Sequence, residues 1–217
     1  MGKKRIDGLE TKQNLLVAAV EVFSDKGFYR ATNADICKKA GANIAAVNYH
    51  FGSKENLYIE SWKYSFDKSL KNYPPDGGVP SNASAHERLY GRILAFMQRI
   101  ADSETHDFDI IHKEIANPTG LLTDTIEKRI ELLERDFIAL IEEILGDAAS
   151  EPVVRLCYMS IQSQCFGPML YLRHRKAGFD IPRRKDIPPD YGIKELAEHI
   201  MRFSLAGING ICRKESD

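Results

Sequence analysis

Apolar residues recur at helical spacing along almost the whole chain, and glycine or proline interrupts the pattern between segments. Leu15, Ala19 and Phe23, for example, fall on one stripe of a first helix, which the pattern places between Thr11 and Gly27. Similar stripes follow up to the carboxyl end, and no run of useful length alternates with the period of a β-strand. The sequence therefore predicts an all-α fold.

Two short helices are predicted between residues 32 and 50. Thr32 is followed three positions later by Asp35, which is the pattern of a capping box at the start of a helix. Gly41 ends this helix, and Asn43 is placed to cap the next one, which runs from Ile44 to Tyr49. Two short helices joined by a tight turn are typical of the helix-turn-helix, whose second helix lies in the major groove of DNA.

The last two predicted helices have unusual surfaces. Residues 151–172 carry charge only at Glu151 and Arg155, which indicates a helix that is buried on several sides. Residues 193–212 include Gly207 and Gly210, which are small enough to let another helix approach closely. Both segments are therefore expected to pack closely against other helices.

Composition and charge restrict the class of protein further. The 217 residues are 43% hydrophobic and 28% charged, which is ordinary for a globular protein and excludes a disordered chain. The net charge is −1, but residues 1–58 carry a net charge of +3 and the rest of the chain −4. A basic amino-terminal segment is compatible with an anionic partner such as DNA.

Cysteine spacing and hydropathy indicate the compartment. The four cysteines are far apart and form no CxxC pair, which argues against a zinc site and against a secreted disulfide framework. No apolar run follows the basic start, so no signal peptide is expected. The longest uncharged stretch, 157–172, is too short to span a bilayer. We expect a cytoplasmic protein with no membrane partner.

Signs of catalysis or metal binding are weak. The run His106-Asp107-Phe108-Asp109, with His112 and Glu114, includes metal-ligating side chains, but only Asp109 and His112 share a helix face, so a solvated helix start is the favoured interpretation. No Ser/His/Asp set, paired acidic site or phosphate loop is recognisable. The sequence predicts no metal, no cofactor and no enzymatic activity.

The run from Ala18 to Tyr58, AAVEVFSDKGFYRATNADICKKAGANIAAVNYHFGSKENLY, resembles the TetR family of bacterial repressors. Its distinctive parts are A-x-x-x-F, G-F, T, D-I and A-G-A, followed by Y-H-F-G-S-K-E-x-L-Y. The resemblance implies a three-helix DNA-binding domain at 1–58, a linking helix that starts near residue 54, and a helical effector-binding and dimerisation domain at 59–217. In this architecture the last two helices, 151–172 and 193–212, pair with their copies in a homodimer, a role that their composition fits. The segment Glu114 to Thr119 is similar to the E-x-x-x-P-T pattern of the branch with a CecR-type carboxyl-terminal domain.

The resemblance also implies which residues contact DNA. Phosphate contacts are expected from Thr32, Tyr49, His50 and Lys54, and base contacts from Asn43, Ile44, Ala45 and Asn48, with Asn33 beside Thr32 in the same interface. Many relatives have Tyr at the position of Asn48 and a polar or basic residue at that of Ile44, so direct base readout here is expected to be sparse and apolar. The basic residues 3–5 are either a minor-groove arm or a solvated tail.

The expected function is that of a homodimeric repressor which binds a palindromic operator and is released by a small-molecule effector. Side chains that either line the effector pocket or form plain core are Trp62, Phe66, Phe96, Phe108, His112 and Tyr171. Two other functions remain open at this point. One is a helical ligand carrier or enzyme with coincidental short helices, and the other is non-specific architectural DNA binding, which the acidic body disfavours.

Overall fold

The computed structural model describes residues 2–176 and 192–214, and all regular structure within these ranges is helical, without a β-strand. The all-α prediction is confirmed. The helices in chain order are α1 (Gly2–Arg30), α2 (Asn33–Ala40), α3 (Ala45–Phe51), α4 (Lys54–Asn72), α5 (Ala85–Ala101), α6 (Asp107–Ala116), α7 (Thr123–Leu145), α8 (Glu151–Lys176) and α9 (Ile193–Lys214), with a 3-10 turn at Gly146–Ala148.

Several helix boundaries differ from the sequence prediction. α1 begins at Gly2, well before Thr11, because the Lys, Arg, Glu and Leu residues that precede the apolar stripe are good helix formers. Gly27 interrupts α1 as predicted, with φ 71° and ψ 172°, although helical turns continue to Arg30. α8 and α9 extend a few residues past the predicted ends at 172 and 212. Of the loop predicted after residue 172, positions 177–189 lie outside the described residues.

The chain divides into two compact units, which are interleaved in sequence. The first comprises Met1–Ser69 and Glu104–Lys128, and the second comprises Leu70–Ser103 and Arg129–Asp217. The first unit thus contains α1 to α3, most of α4 and all of α6, whereas the second contains α5, most of α7, α8 and α9. The sequence division at residue 58 stays a prediction.

The core of the first unit is built on the apolar stripe of α1. Leu15, Ala19 and Phe23 are completely buried, as the periodicity predicts, and so are Ile36 of α2 and Val47 of α3. Burial of these side chains is the main favourable contribution to folding, at about 1.5–3 kcal/mol for each large apolar side chain. It fixes the two short helices against α1.

The second unit has its core between α5, α8 and α9. The inward faces of these helices carry large apolar side chains that are at most 4% exposed, namely Leu89, Ile93, Met97, Ile100, Val154, Ile161, Met169, Ile200 and Ile208.

The connection between α4 and α5 packs closely on α5, because neither Gly77 nor Gly91 has a Cβ. A Cβ on Gly77 would lie 2.3 Å from the carbonyl oxygen of Gly91.

Arg173 near the end of α8 is only 2% exposed. Its guanidinium donates to the backbone carbonyl oxygen of Ile100 at 3.2 Å and also to that of Asp102, at the carboxyl end of α5. A cation at this end of a helix satisfies carbonyl groups that lack partners within the helix. The sequence predicts a loop from Arg173 onward, but the structure places this buried arginine within α8.

Candidate nucleic-acid interface

The start of α2 is held by the predicted capping box. The Asp35 N–H donates to Thr32 Oγ1 at 3.1 Å, and the Thr32 N–H donates to Asp35 Oδ2, also at 3.1 Å. Lys26 lies 3.0 Å from the Asp35 carboxylate, and its hydrogen bond, followed by those of Thr32, lowers the pKa of Asp35. Two otherwise unsatisfied N–H groups are thereby paired, and the orientation of α2 relative to α1 is fixed.

The turn between α2 and α3 is built by Gly41 and Asn43. Gly41 adopts the left-handed conformation, with φ 63° and ψ 31°, and the Ala42 N–H donates to the Cys37 carbonyl oxygen at 2.9 Å. Asn43 Oδ1 accepts from the Ala45 N–H at 2.9 Å, so its side chain holds the amino end of α3 as predicted. α3 itself runs from Ala45 to Phe51, slightly later than the predicted helix.

α3 has one buried and one open face. Val47 and Phe51 are buried and anchor the helix, whereas Ile44 is 58% and Tyr49 84% exposed. The exposed face also carries Asn43, Ala45 and Asn48. Large exposed apolar side chains next to an amide are suited to contact with the methyl groups and edges of bases. The structure therefore brings the predicted base-contacting residues together on one accessible surface.

Of the predicted phosphate-contacting residues, Tyr49 lies on this face, and the others lie at or near the ends of α2, α3 and α4. Thr32 is exposed, Asn33 and His50 are half-buried, and the His50 ring lies 4.8 Å from that of Tyr49 in an edge-to-face arrangement. Lys54 is the first residue of α4, directly after Ser53, whose Oγ accepts from the Asn56 N–H at 3.1 Å. A helix amino end with a lysine is a suitable site for a phosphate.

Phe28 is a part of this surface that sequence reasoning missed. The Lys54 Nζ lies 4.3 Å from the centre of the Phe28 ring, within the range of a cation–π interaction. Partial burial lowers the pKa of Lys54, while the charge of Glu55 acts in the opposite direction. The sequence does show Gly27-Phe28 as a family motif, but the motif alone does not indicate which side chain Phe28 contacts.

Tyr58 and Glu114 form a second unpredicted contact. The Tyr58 O–H donates to Glu114 Oε2 at 2.9 Å. Burial raises the pKa of Tyr58, and the charge and hydrogen bond of Glu114 act in the same direction. Glu114 therefore has a structural partner in α4, which the E-x-x-x-P-T pattern alone did not reveal.

The sequence predicts that residues 106–109 form a solvated helix start, and this prediction is wrong for Asp107. Asp107 is completely buried, and the Ser69 hydroxyl donates to its Oδ2 at 3.3 Å. His106 Nδ1 lies 3.4 Å from Asp109 Oδ2, and the His106 N–H donates to the Ser65 Oγ. Among the residues that the structure describes, no group of three His, Cys, Asp or Glu side chains is arranged to hold a metal ion.

The predicted effector residues fall into two groups. In the first unit, Trp62 and Phe66 of α4 are buried with ring centres 4.9 Å apart, Phe108 is half-buried and His112 is exposed. In the second unit, the half-buried Phe96 lies 6.1 Å from Phe166, and Tyr171 is also half-buried. A role for these six side chains in ligand binding stays a prediction.

Within the described residues, none of the helices is sufficiently long and apolar to cross a membrane.

Two family models match the chain. The model described as bacterial regulatory proteins, tetR family, matches residues 15–60, and that of the C-terminal domain of the HTH-type transcriptional dual regulator CecR matches residues 85–208, more than half of the chain. Solved structures agree in fold. A TetR-like transcriptional regulator from Rhodococcus sp. RHA1 has a TM-score of 0.64 at 17% identity, over 92% of this chain and 96% of that one.

Curated relatives match over shorter stretches. The dual regulator CecR of Shigella flexneri is 36% identical over 87 residues, which are 40% of this chain and 36% of CecR. The negative regulator IcaR of the icaADBC biofilm operon in Staphylococcus aureus is 38% identical over 56 residues, which are 26% of this chain and 30% of IcaR. The chain thus spans about a third of the length of these relatives. All of them are regulators and not enzymes, and the chain belongs to the TetR family of bacterial transcriptional regulators, with a CecR-type C-terminal domain.

Proposed function

We propose that the protein is a homodimeric repressor that binds a palindromic operator and leaves it when a small-molecule effector binds. The observation that carries this proposal is the exposed face of α3, where Ile44 and Tyr49 are 58% and 84% exposed on a helix anchored by buried Val47 and Phe51. An apolar surface of this kind on a short, fixed helix has the shape required to enter the major groove.

Contacts within this interface divide by chemistry. Thr32, Tyr49, His50 and Lys54 contact phosphates and set the register of the protein on DNA, with Asn33 next to them. Asn43, Ile44, Ala45 and Asn48 face the bases. Among them, Asn48 has an amide that pairs bidentately with adenine, while Ile44 and Ala45 contact thymine methyl groups.

The dimer forms through residues 151–172 and 193–212. Supporting this, α8 exposes Leu156 and Met159 by more than half, and α9 exposes Phe203 by 63%. A groove of about 220 Å³ lies between these two helices, and Gly207 is one of the residues that line it. Paired with their two-fold copies, α8 and α9 make a four-helix interface.

Release from DNA follows from a shift between two states of the dimer. An effector that binds more tightly to the state whose recognition helices do not match the groove lowers operator affinity by the coupling free energy, typically about 1–3 kcal/mol. Residues proposed to line its site are Trp62, Phe66, Phe96, Phe108, His112 and Tyr171. Repression, as opposed to activation, is supported by the description of IcaR as a negative regulator, and CecR is described as acting in both directions.

Selection of bound fragments from genomic DNA tests the proposal. Two recognition helices related by a two-fold axis are expected to select palindromes whose half-sites lie one or more helical turns apart, about 34 Å for each turn. Expression of a reporter gene placed behind a selected site is expected to rise when the protein is absent. Compounds related to the neighbouring genes are then tested for their ability to release the protein from the site. Fragments with no common motif, an asymmetric site, or a reporter that falls would each contradict the proposal.

On the selected operator, Asn48→Ala distinguishes base reading from phosphate binding. Loss of a bidentate adenine contact removes about 1–3 kcal/mol of discrimination, so preference at one base position in each half-site is expected to relax while the salt dependence stays the same. Affinities for the operator and for single-base variants at several salt concentrations measure both effects. Uniform weakening on all sequences, with a lower salt slope, would show that Asn48 contacts phosphate and does not read a base.

Thr32→Ala is expected to weaken DNA binding, whereas the matched Ser84→Ala is not. Ser84 forms the same capping box at the start of α5, in the second unit, with Glu87 in the role of Asp35. Loss of either cap lowers the free energy of unfolding by about 1 kcal/mol. Only Thr32 is also a proposed phosphate ligand. Urea unfolding followed by circular dichroism and anisotropy of dye-labelled DNA measure the two properties, and equal DNA affinities in both variants would contradict the role of Thr32.

A further inference from the structure

The segment from Glu114 to Gly120 closes on itself through one carboxylate. Glu114 Oε1 accepts from the Thr119 N–H and hydroxyl, both at 2.8 Å, and from the Gly120 N–H at 3.0 Å. Three donors fix the plane of the carboxylate, and hydrogen bonds to a charged acceptor are stronger than neutral ones. The second oxygen of Glu114 is therefore held in a defined direction.

Two tyrosines from the matched tetR segment donate to this segment. Tyr58 of α4 donates to Glu114 Oε2 at 2.9 Å, and Tyr29 at the end of α1 donates to the Pro118 carbonyl oxygen at 3.1 Å. All these residues lie in the first compact unit, although Glu114 and Pro118 lie within the segment that matches the CecR-type domain. The compact unit thus includes a part of the chain outside the DNA-binding family module.

The rings of both tyrosines pack against Phe28. The centre of the Phe28 ring lies 5.1 Å from that of Tyr58 and 5.6 Å from that of Tyr29. Phe28 in turn holds the Lys54 ammonium 4.3 Å from its ring centre. A continuous series of contacts therefore runs from Glu114 through Tyr58 and Phe28 to the amino end of α4.

We infer that Glu114 is a positioning residue for DNA binding, which acts through Tyr58 and Phe28 to hold Lys54 at its phosphate. The lysine stem has many rotamers, and the loss of this rotamer freedom on binding opposes association. A ring that is itself anchored limits the rotamers before DNA arrives, and this preorganisation increases affinity. Glu114 needs no contact with DNA in this role, and its effect is expected only while Lys54 is present.

The experiment uses the full chain and a dye-labelled duplex of random sequence, because a phosphate contact does not depend on an operator. DNA affinity falls as salt rises, and the salt slope is the steepness of this fall, log affinity against log salt. Lys54→Ala is expected to make the salt slope shallower by about 0.9. Tyr58→Phe and Glu114→Gln are each expected to weaken binding about fivefold. Each is also expected to make the salt slope shallower, by less than Lys54→Ala does. Combined with Lys54→Ala, neither change is expected to weaken binding further, since coupled residues are not additive.

Tyr64→Phe is the matched control on the same helix. Tyr64 is half-buried, and its hydroxyl makes no hydrogen bond within the described part of the chain, so DNA binding is expected to be unchanged. Tyr58→Phe removes only one hydroxyl group and serves as the conservative variant if Glu114→Gln does not fold, with unfolding monitored by circular dichroism.

The outcomes separate this role from the phosphate contact on which it rests. If the salt slope became shallower in Lys54→Ala but stayed at the wild-type value in Tyr58→Phe and Glu114→Gln, the positioning role of Glu114 would be overturned. The phosphate contact of Lys54 would stand. Effects of Tyr58→Phe and Lys54→Ala that simply add would also overturn it, because they would indicate a general structural role. A wild-type slope in Lys54→Ala would overturn the phosphate contact of the proposed function, and the positioning role with it.

Discussion

Gly207→Arg is expected to produce folded monomers whose operator affinity is lower by about two to four orders of magnitude. Gly207 is exposed on α9, and a Cβ at this position would meet no atom within 4 Å, so the variant chain has room for the side chain. Replacement of glycine in a helix interior also improves helix propensity by about 1 kcal/mol. A charged side chain in the proposed interface, however, separates the two copies, and the gain of about 10²–10⁴ from two linked half-sites is lost.

Sedimentation measures the oligomeric state, and anisotropy with operator DNA measures affinity. Ala139→Arg is the matched control, since it places the same charge on an exposed position of α7, outside α8 and α9. It is expected to remain a dimer with wild-type affinity. A dimer in Gly207→Arg would contradict this location of the interface, and a monomer that retained full affinity would contradict binding as a dimer.

Gly77→Ala is expected to destabilise the fold by about 2–4 kcal/mol, the larger part of which comes from a collision. Gly77 has φ +67°, which is unfavourable for a residue with a Cβ, and that Cβ would lie 2.3 Å from the carbonyl oxygen of Gly91. The obstacle is backbone and cannot move like the end of a flexible side chain. Either the connection between α4 and α5 separates from α5, or α5 shifts.

The neighbouring Gly78 provides the control for this substitution. Its φ is +69°, nearly the same, but a Cβ there would meet no atom within 4 Å. Gly78→Ala is therefore expected to cost only the conformational strain, about 1 kcal/mol. Urea unfolding of both variants, followed by circular dichroism, separates the two contributions, and equal losses of stability would show that the approach to Gly91 is not a constraint.

Local chemistry made the helix-turn-helix predictable. Thr32 with Asp35 predicts a capping box, and Gly41 predicts a left-handed helix end, because each pattern acts within a few residues. Both features are present in the structure with the expected hydrogen bonds and dihedral angles. The Asn43 side chain also holds the start of α3, although the helix begins slightly later than predicted.

Contacts over long sequence separations were not predictable in the same way. Tyr58 and Glu114 are 56 positions apart, and neither residue has a local pattern that names its partner. Helical periodicity did place Trp62 and Phe66 on the buried side of α4, but it could not show which elements cover them. For the same reason the buried carboxylate of Asp107 was taken for a solvated one.

Residues 151–172 of α8, which carry only two charged side chains, show a second limit of periodicity. Their composition predicts burial on several sides, yet Leu156 and Met159 are 58% and 56% exposed in the single chain. An apolar pattern indicates that a surface is covered, but it does not distinguish cover by the same chain from cover by a second copy. In the proposed dimer, a second copy covers these exposed apolar side chains of α8 and α9.

Trp62 also gives the molecule a built-in optical reporter. It is the only tryptophan in the chain, and it is completely buried in α4 beside Phe66. Indole emission lies at shorter wavelengths in apolar surroundings than in water. The folded protein is therefore expected to emit at a shorter wavelength than free tryptophan. Since Trp62 belongs to the first compact unit, a red shift reports the exposure of one side chain in that unit, whereas the loss of helical ellipticity reports both units together.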